Sequence, residues 1–134
     1  MRIVWIAAAL FVSSHMVMAR QQATATPVFT AEQASAGRSA YAASCASCHM
    51  PDLSGSNDVP PLTGPVFLST WRSRTTKDLF DYMSASMPPG TSSLNTGTYA
   101  SIAAYILESN GASAGSQPFG ASTTVVIDNL TSRK

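Results

Sequence analysis

Cys45 and Cys48 are two thiols three residues apart, and His49 follows the second of them directly. That run, Cys-Ala-Ser-Cys-His, is the spacing at which a chain attaches haem covalently. On one helical turn the two sulfurs lie on the same side, where each can form a thioether to a haem vinyl group. The imidazole one residue on can then swing beneath the iron. Two other chemistries use part of the same pattern. A redox-active disulfide also needs Cys-x-x-Cys, but in a strand-helix-strand context, and Cys45 is surrounded by Ala, Ser and Tyr in a helical pattern. A structural zinc site needs four ligands. The chain holds 2 Cys and 2 His in all, and the second histidine, His15, lies in a segment expected to be removed.

That segment is residues 1–19. Arg2 supplies one positive charge, residues 3–12 are apolar, and Val17 and Ala19 are small residues before a cut expected after Ala19. The apolar run is shorter than the ~20 residues a spanning helix needs. The expectation is a cleaved signal peptide and an exported chain with no membrane anchor. An uncleaved anchor is the alternative. About 115 residues remain, enough for a single domain around one core. Without Arg2 the basic and acidic residues balance, so nothing in the charge favours nucleic acid.

The elements that must position the motif can be read in order. Residues 20–29 show no periodicity and are expected to be a flexible leader. Thr30 with Gln33 three residues on reads as a capping box opening a helix that runs from Ala31 to Ala46. Gly37, Tyr41 and Cys45 share one face of it. A mid-helix glycine costs ~1 kcal/mol against alanine, which implies a second helix crossing closely at Gly37. Residues 51–64 form a proline-rich loop. A metal-bound histidine usually donates its other ring N–H to a carbonyl, and Pro60 or Pro61 is the candidate acceptor, although the same prolines could simply stiffen the loop. Residues 66–70 suggest one helical turn ending at Trp71. Thr75 to Asp78 can cap a helix running to Ser86, with Leu79, Phe80 and Met83 on its buried face. Pro88 stops that helix and pushes Met87 into extended backbone. A last helix, residues 97–109, carries a stripe of Tyr99, Ile102, Ala103, Tyr105 and Ile106 and ends at Asn110-Gly111. Residues 112–134 are Gly, Ser and Thr rich and read as a flexible tail, with Val125 to Ile127 as a short strand or a partner contact.

His49 is the only histidine once His15 is gone, so two-histidine ligation within the chain is impossible. Methionine is the usual partner of a lone axial histidine in electron-carrying haems. Met50 adjoins His49 and cannot reach the far haem face, and Met83 reads as core. Met87 is therefore the expected sixth ligand, with an open or water-bound iron as the alternative. Trp71 could donate to a haem propionate, with Arg72 or Arg74 adding charge, or it could be plain packing. Tyr99 and Tyr105 read as core.

These residues resemble the class I c-type cytochromes over residues 31–111. Gly37, Tyr41, Cys45, Cys48 and His49 stand at the spacing of that family's first helix. Pro60, Leu62 and Gly64 resemble its proline-leucine-glycine loop, Met87-Pro88 its axial methionine, and Ile102 and Tyr105 its last-helix crossing residues. The resemblance implies an all-α fold, three to four helices around one covalent haem c, in a domain spanning residues 30–111. It also implies the periplasm as location. More narrowly, residues 60–64, Trp71, residues 104–107 and Asn110-Gly111 resemble cytochrome domains that accompany bacterial quinoprotein alcohol or sugar dehydrogenases. The function implied is electron transfer from such a dehydrogenase, or another, to a respiratory oxidase or a second cytochrome. The protein would be a monomer or a subunit of a dehydrogenase complex, and no enzyme. A haem enzyme or gas sensor would need an open iron position and a distal acid-base residue, and no distal histidine exists. A third reading makes the domain a docking subunit that contacts a larger complex through Val125 to Ile127.

Overall fold

The computed structural model describes residues 26–90 and 94–131. The expected signal segment, the leader as far as residue 25, and Arg133 and Lys134 lie outside the described residues. The fold is all-α. Among the described residues five helical segments follow in order: α1 Ala31–Ser44, α2 Ala46–His49, α3 Gly64–Trp71, α4 Thr76–Ser86 and α5 Thr96–Ser109, with a 3-10 turn at Ile127–Asn129. Among the described residues extended pairing is confined to two isolated bridges, Ser56 with Val59 and Thr75 with Val126. No described helix is long and apolar enough to cross a membrane.

Local chemistry sets the helix ends. Thr30 Oγ1 accepts from Gln33 N at 3.2 Å, and Thr75 with Asp78 forms a complete capping box at the start of α4. The expected box at Thr30 is only half made, because the Gln33 side chain turns elsewhere. The helix expected to reach Ala46 is interrupted at Cys45 (φ −124°, ψ −33°), and α2 resumes for a single turn.

The most extensive helix packing in the described residues is α1 on α5. It is backbone on backbone at Gly37, where a Cβ would meet Ser101 O. Tyr41 and Tyr105 meet beside the crossing, ring centroids 5.4 Å apart. Helix α5 buries more than one stripe: Ala100, Ala104 and Leu107 join Tyr99, Ile102, Ala103, Tyr105 and Ile106. Contact with α1 and with α4 covers it on more than one side.

Both segments expected to be free need correction. Val28 and Phe29 of the leader are buried, and so are Ala112, Phe119, Ile127, Leu130 and Thr131 of the tail. Residues 112–131 therefore belong to the folded unit. The segment crosses three parts of the fold in turn. Gly115 N donates to Phe29 O at 2.7 Å. Phe119 exchanges two hydrogen bonds with the Gln33 side chain, Nε2 to Phe119 O at 2.8 Å and Phe119 N to Oε1 at 2.7 Å. Ile127 N and Asp128 N then donate to Arg74 O and Arg72 O, and Asp128 Oδ1 pairs with Arg72 at 3.1 Å. The tail's backbone groups are satisfied one by one rather than by a ladder. Its anchors, Phe119, Ile127 and Leu130, fall at irregular intervals, so they leave no helical or strand period in the sequence.

Candidate haem site

The motif sits where α1 gives way to α2. His49 N and Cys48 N donate to Cys45 O at 2.9 and 3.1 Å, which keeps both cysteines and the histidine on one tight turn. Met50 then adopts a left-handed φ of 64°, and the chain leaves the helix axis. Its carbonyl is held by the Tyr41 hydroxyl at 2.6 Å, so the turn is tied back to α1.

His49 is buried, and its Nδ1 lies 2.9 Å from Pro60 O. A carbonyl can only accept, so Nδ1 carries the proton and the Nε2 lone pair is left for a metal. This selects Pro60 over Pro61 as the acceptor. Pro60 is held by a compact loop. Gly55 N donates to His49 O at 3.0 Å, Ser56 N to Val59 O at 2.8 Å, and Leu62 N to Leu53 O at 2.9 Å. Gly55 has a φ of 69°, and a Cβ there would come within 2.3 Å of Val59 O, so only glycine fits this turn.

The far end of the loop is tied to α5 by a residue read from the sequence only as a helix cap. Asn110 Nδ2 donates to Leu62 O at 2.9 Å, and Asn110 Oδ1 accepts from Gly64 N at 3.0 Å. Its position after a helix was visible in the sequence, but its partners lie 46 and 48 residues away. Tyr99 was also read as core alone. Its ring is buried, but its hydroxyl donates to Met87 O and accepts from Leu94 N at 3.2 Å.

Cys45, Cys48, His49, Pro60, Trp71 and Met87, the six residues singled out in the sequence, all line one cavity of about 520 Å³. Most of the remaining wall is apolar, including Phe67, Leu79, Ile102 and Ile106, while Asp58 and Arg74 are its charged members. Met83 lines it as well as Met87. The two differ in backbone: Met83 lies within α4 and is buried, whereas Met87 has left the helix (φ −129°, ψ 142°), as the following proline requires. Trp71 is both wall and core, stacked on Phe67 and edge-on to Tyr82, with the Arg74 guanidinium 5.1 Å from its ring centre. Arg72, the other candidate cation, instead pairs with Asp128.

A haem fits this donor set. Cys45 and Cys48 form no disulfide with each other, so both sulfurs are open to thioether formation. The histidine tautomer is already the ligating one, and the cavity is of prosthetic-group size and mostly apolar. Among the described residues no group of three or more His, Cys, Asp and Glu is gathered for a metal ion, so the zinc reading has no ligand set there.

Residues 32–106 match the family model described as cytochrome c oxidase, cbb3-type, subunit III. The chain is a class I c-type cytochrome. Such a domain serves haem-based electron transfer. Among solved structures the cytochrome is similar to a chain in the crystal structure of the sulfane dehydrogenase SoxCD from Paracoccus pantotrophus. They share 27% identity at a TM-score of 0.52 over 73% of this chain. The cytochrome spans half the length of that matched chain. Comparison with curated proteins finds no match.

Proposed function

We propose that this cytochrome is an exported single-haem electron carrier with His49 and Met87 as axial ligands. It would receive electrons from a dehydrogenase and pass them to an oxidase or a second cytochrome. The observation that carries the proposal is the His49 Nδ1 bond to Pro60 O within the cavity wall that also holds Cys45, Cys48 and Met87. Cys45 and Cys48 would hold the haem by thioethers, and His49 Nε2 and Met87 Sδ would complete its coordination. When bound, the haem supplies a one-electron couple.

The chain's own residues do the rest. Pro60 keeps the imidazole from rotating and strengthens it as a donor. Phe67, Leu79, Ile102 and Ile106 keep water from the buried side, and a thioether partner with an apolar wall favours the reduced state. Met50 and Tyr41 fix the outgoing chain and tie the ligand turn back to α1.

The likeness to a chain of a sulfane dehydrogenase structure supports a dehydrogenase as electron donor. The resemblance of residues 60–64, Trp71, residues 104–107 and Asn110-Gly111 to cytochromes of quinoprotein dehydrogenases supports the same class.

The test is extraction. Haem should stay with the polypeptide through denaturation and acid-acetone treatment, and Cys48→Ala should reduce retention and yield. Unchanged retention and yield in Cys48→Ala would refute attachment through two thioethers.

A further inference from the structure

Both backbone polar groups of Met87 are fixed. Its N–H donates to Met83 O at 2.9 Å, closing α4, and its carbonyl accepts from the Tyr99 hydroxyl. The same hydroxyl accepts from Leu94 N, so one oxygen ties residue 87 to residue 94. Tyr99 is held in turn. Its ring meets Phe80 edge-on, centroids 6.4 Å apart, and Phe80 meets Phe119 at 6.3 Å. Phe119 is locked to α1 by its two hydrogen bonds with Gln33. Phe119 lies beyond residues 32–106, the stretch that the family model matches.

We propose that Tyr99 is a positioning residue for Met87, and that the carboxy-terminal segment, through Phe119 and Phe80, is what holds Tyr99 in place. The physical case is one of cost. A thioether is a neutral, weak donor on a flexible side chain, and each torsion left free must be frozen again whenever the sulfur binds. With the Met87 backbone pinned at both its N–H and its carbonyl, only side-chain torsions remain to be ordered. Loss of the Tyr99 bond adds backbone freedom at residue 87 to the torsions that the bound sulfur must freeze, so the sulfur leaves more readily. The inference rests on Met87 being the sixth ligand, and it adds that the tail outside the matched stretch governs how firmly that ligand is held.

The experiment is stopped-flow binding of imidazole to the oxidised holoprotein, which occurs only when the methionine sulfur leaves. Tyr99→Phe keeps the ring and removes the bond. It should raise the imidazole association rate roughly three- to tenfold, the effect expected from loss of one hydrogen bond. Phe119→Leu should raise it by a smaller factor. Tyr105→Phe, in the same helix but with its ring against Tyr41, should leave it unchanged. A Tyr99→Phe rate within 1.5-fold of the parent's, or an equal rise in Tyr105→Phe, would overturn the positioning role. A parental rate in Phe119→Leu would overturn the tail's part in it. If Met87→Ala keeps the parent's sulfur-to-iron absorption, the ligand assignment itself has failed, an outcome the rate measurements do not mimic.

Discussion

Gly37 of α1 and Ser101 of α5 meet without side chains between them: a Cβ on Gly37 would lie 1.8 Å from Ser101 O and 3.0 Å from the Tyr105 Cβ. The closest obstacle is backbone, which cannot swing aside as a flexible side chain can. Gly37→Val is therefore expected to destabilise the holoprotein by about 3 kcal/mol or more, since the two helices must separate. Denaturant unfolding measures it, and parental stability would place the helix crossing elsewhere.

Gln33 and Phe119 exchange two hydrogen bonds across 86 residues of sequence. Gln33→Ala removes both and leaves a buried residue's amide and carbonyl unpaired. The expected cost is about 1–3 kcal/mol. Hydrogen exchange should quicken at Phe119 and at Gly115, whose N–H is bonded to Phe29, while the middle of α5 stays protected. Uniform acceleration throughout would mean that the tail and the helices open as one unit.

The same pair shows why the sequence was legible in some places and not in others. The ligand motif, the Thr75 and Asp78 cap, the close crossing at Gly37 and the extended backbone before Pro88 are all local signals, decided within a few residues. The role of Pro60 was accessible because a ligating histidine needs a second-nitrogen acceptor nearby. The tail was misread because Phe119, Ile127 and Leu130 are separate anchors whose partners lie far back in the chain. The Gln33 side chain satisfied a cap pattern on paper yet found a better-matched amide in that tail. Asn110 and Tyr99 were assigned to a cap and to the core for the same reason: their hydroxyl and amide partners are set by the fold. Met83 and Met87 were separated in the sequence by helical phase, yet both reach the cavity wall.

Tyr41 gives a pH signature. Burial pushes its phenol up to about 12, from about 10 in an unfolded chain. A raised folded-state value means that the folded protein keeps the proton longer. The stabilisation is complete below about pH 10 and is lost as pH rises towards 12. Tyr41→Phe should flatten the alkaline limb of the stability profile between those values. An equally steep limb would assign the loss to other groups.

The cavity rim carries exposed Val66 and Tyr82, while Arg72 is paired with Asp128 and the whole polypeptide has a formal charge of +1. Docking through such a surface, together with the small residues Ala46 and Ser47 and the segment from Met87 to Gly90, gains little from long-range attraction. The second-order electron-transfer rate with a dehydrogenase or oxidase partner should change little between low and physiological salt. A drop of tenfold or more would indicate a charged interface.

The central claim, one covalent haem held between His49 and Met87, is tested most directly by the far-red sulfur-to-iron charge-transfer band of the oxidised protein. Both Met83 and Met87 line the cavity, so the two alanine variants must be compared side by side. The band should be present in the parent, retained in Met83→Ala and absent in Met87→Ala. Its loss in Met83→Ala with retention in Met87→Ala would contradict the assignment.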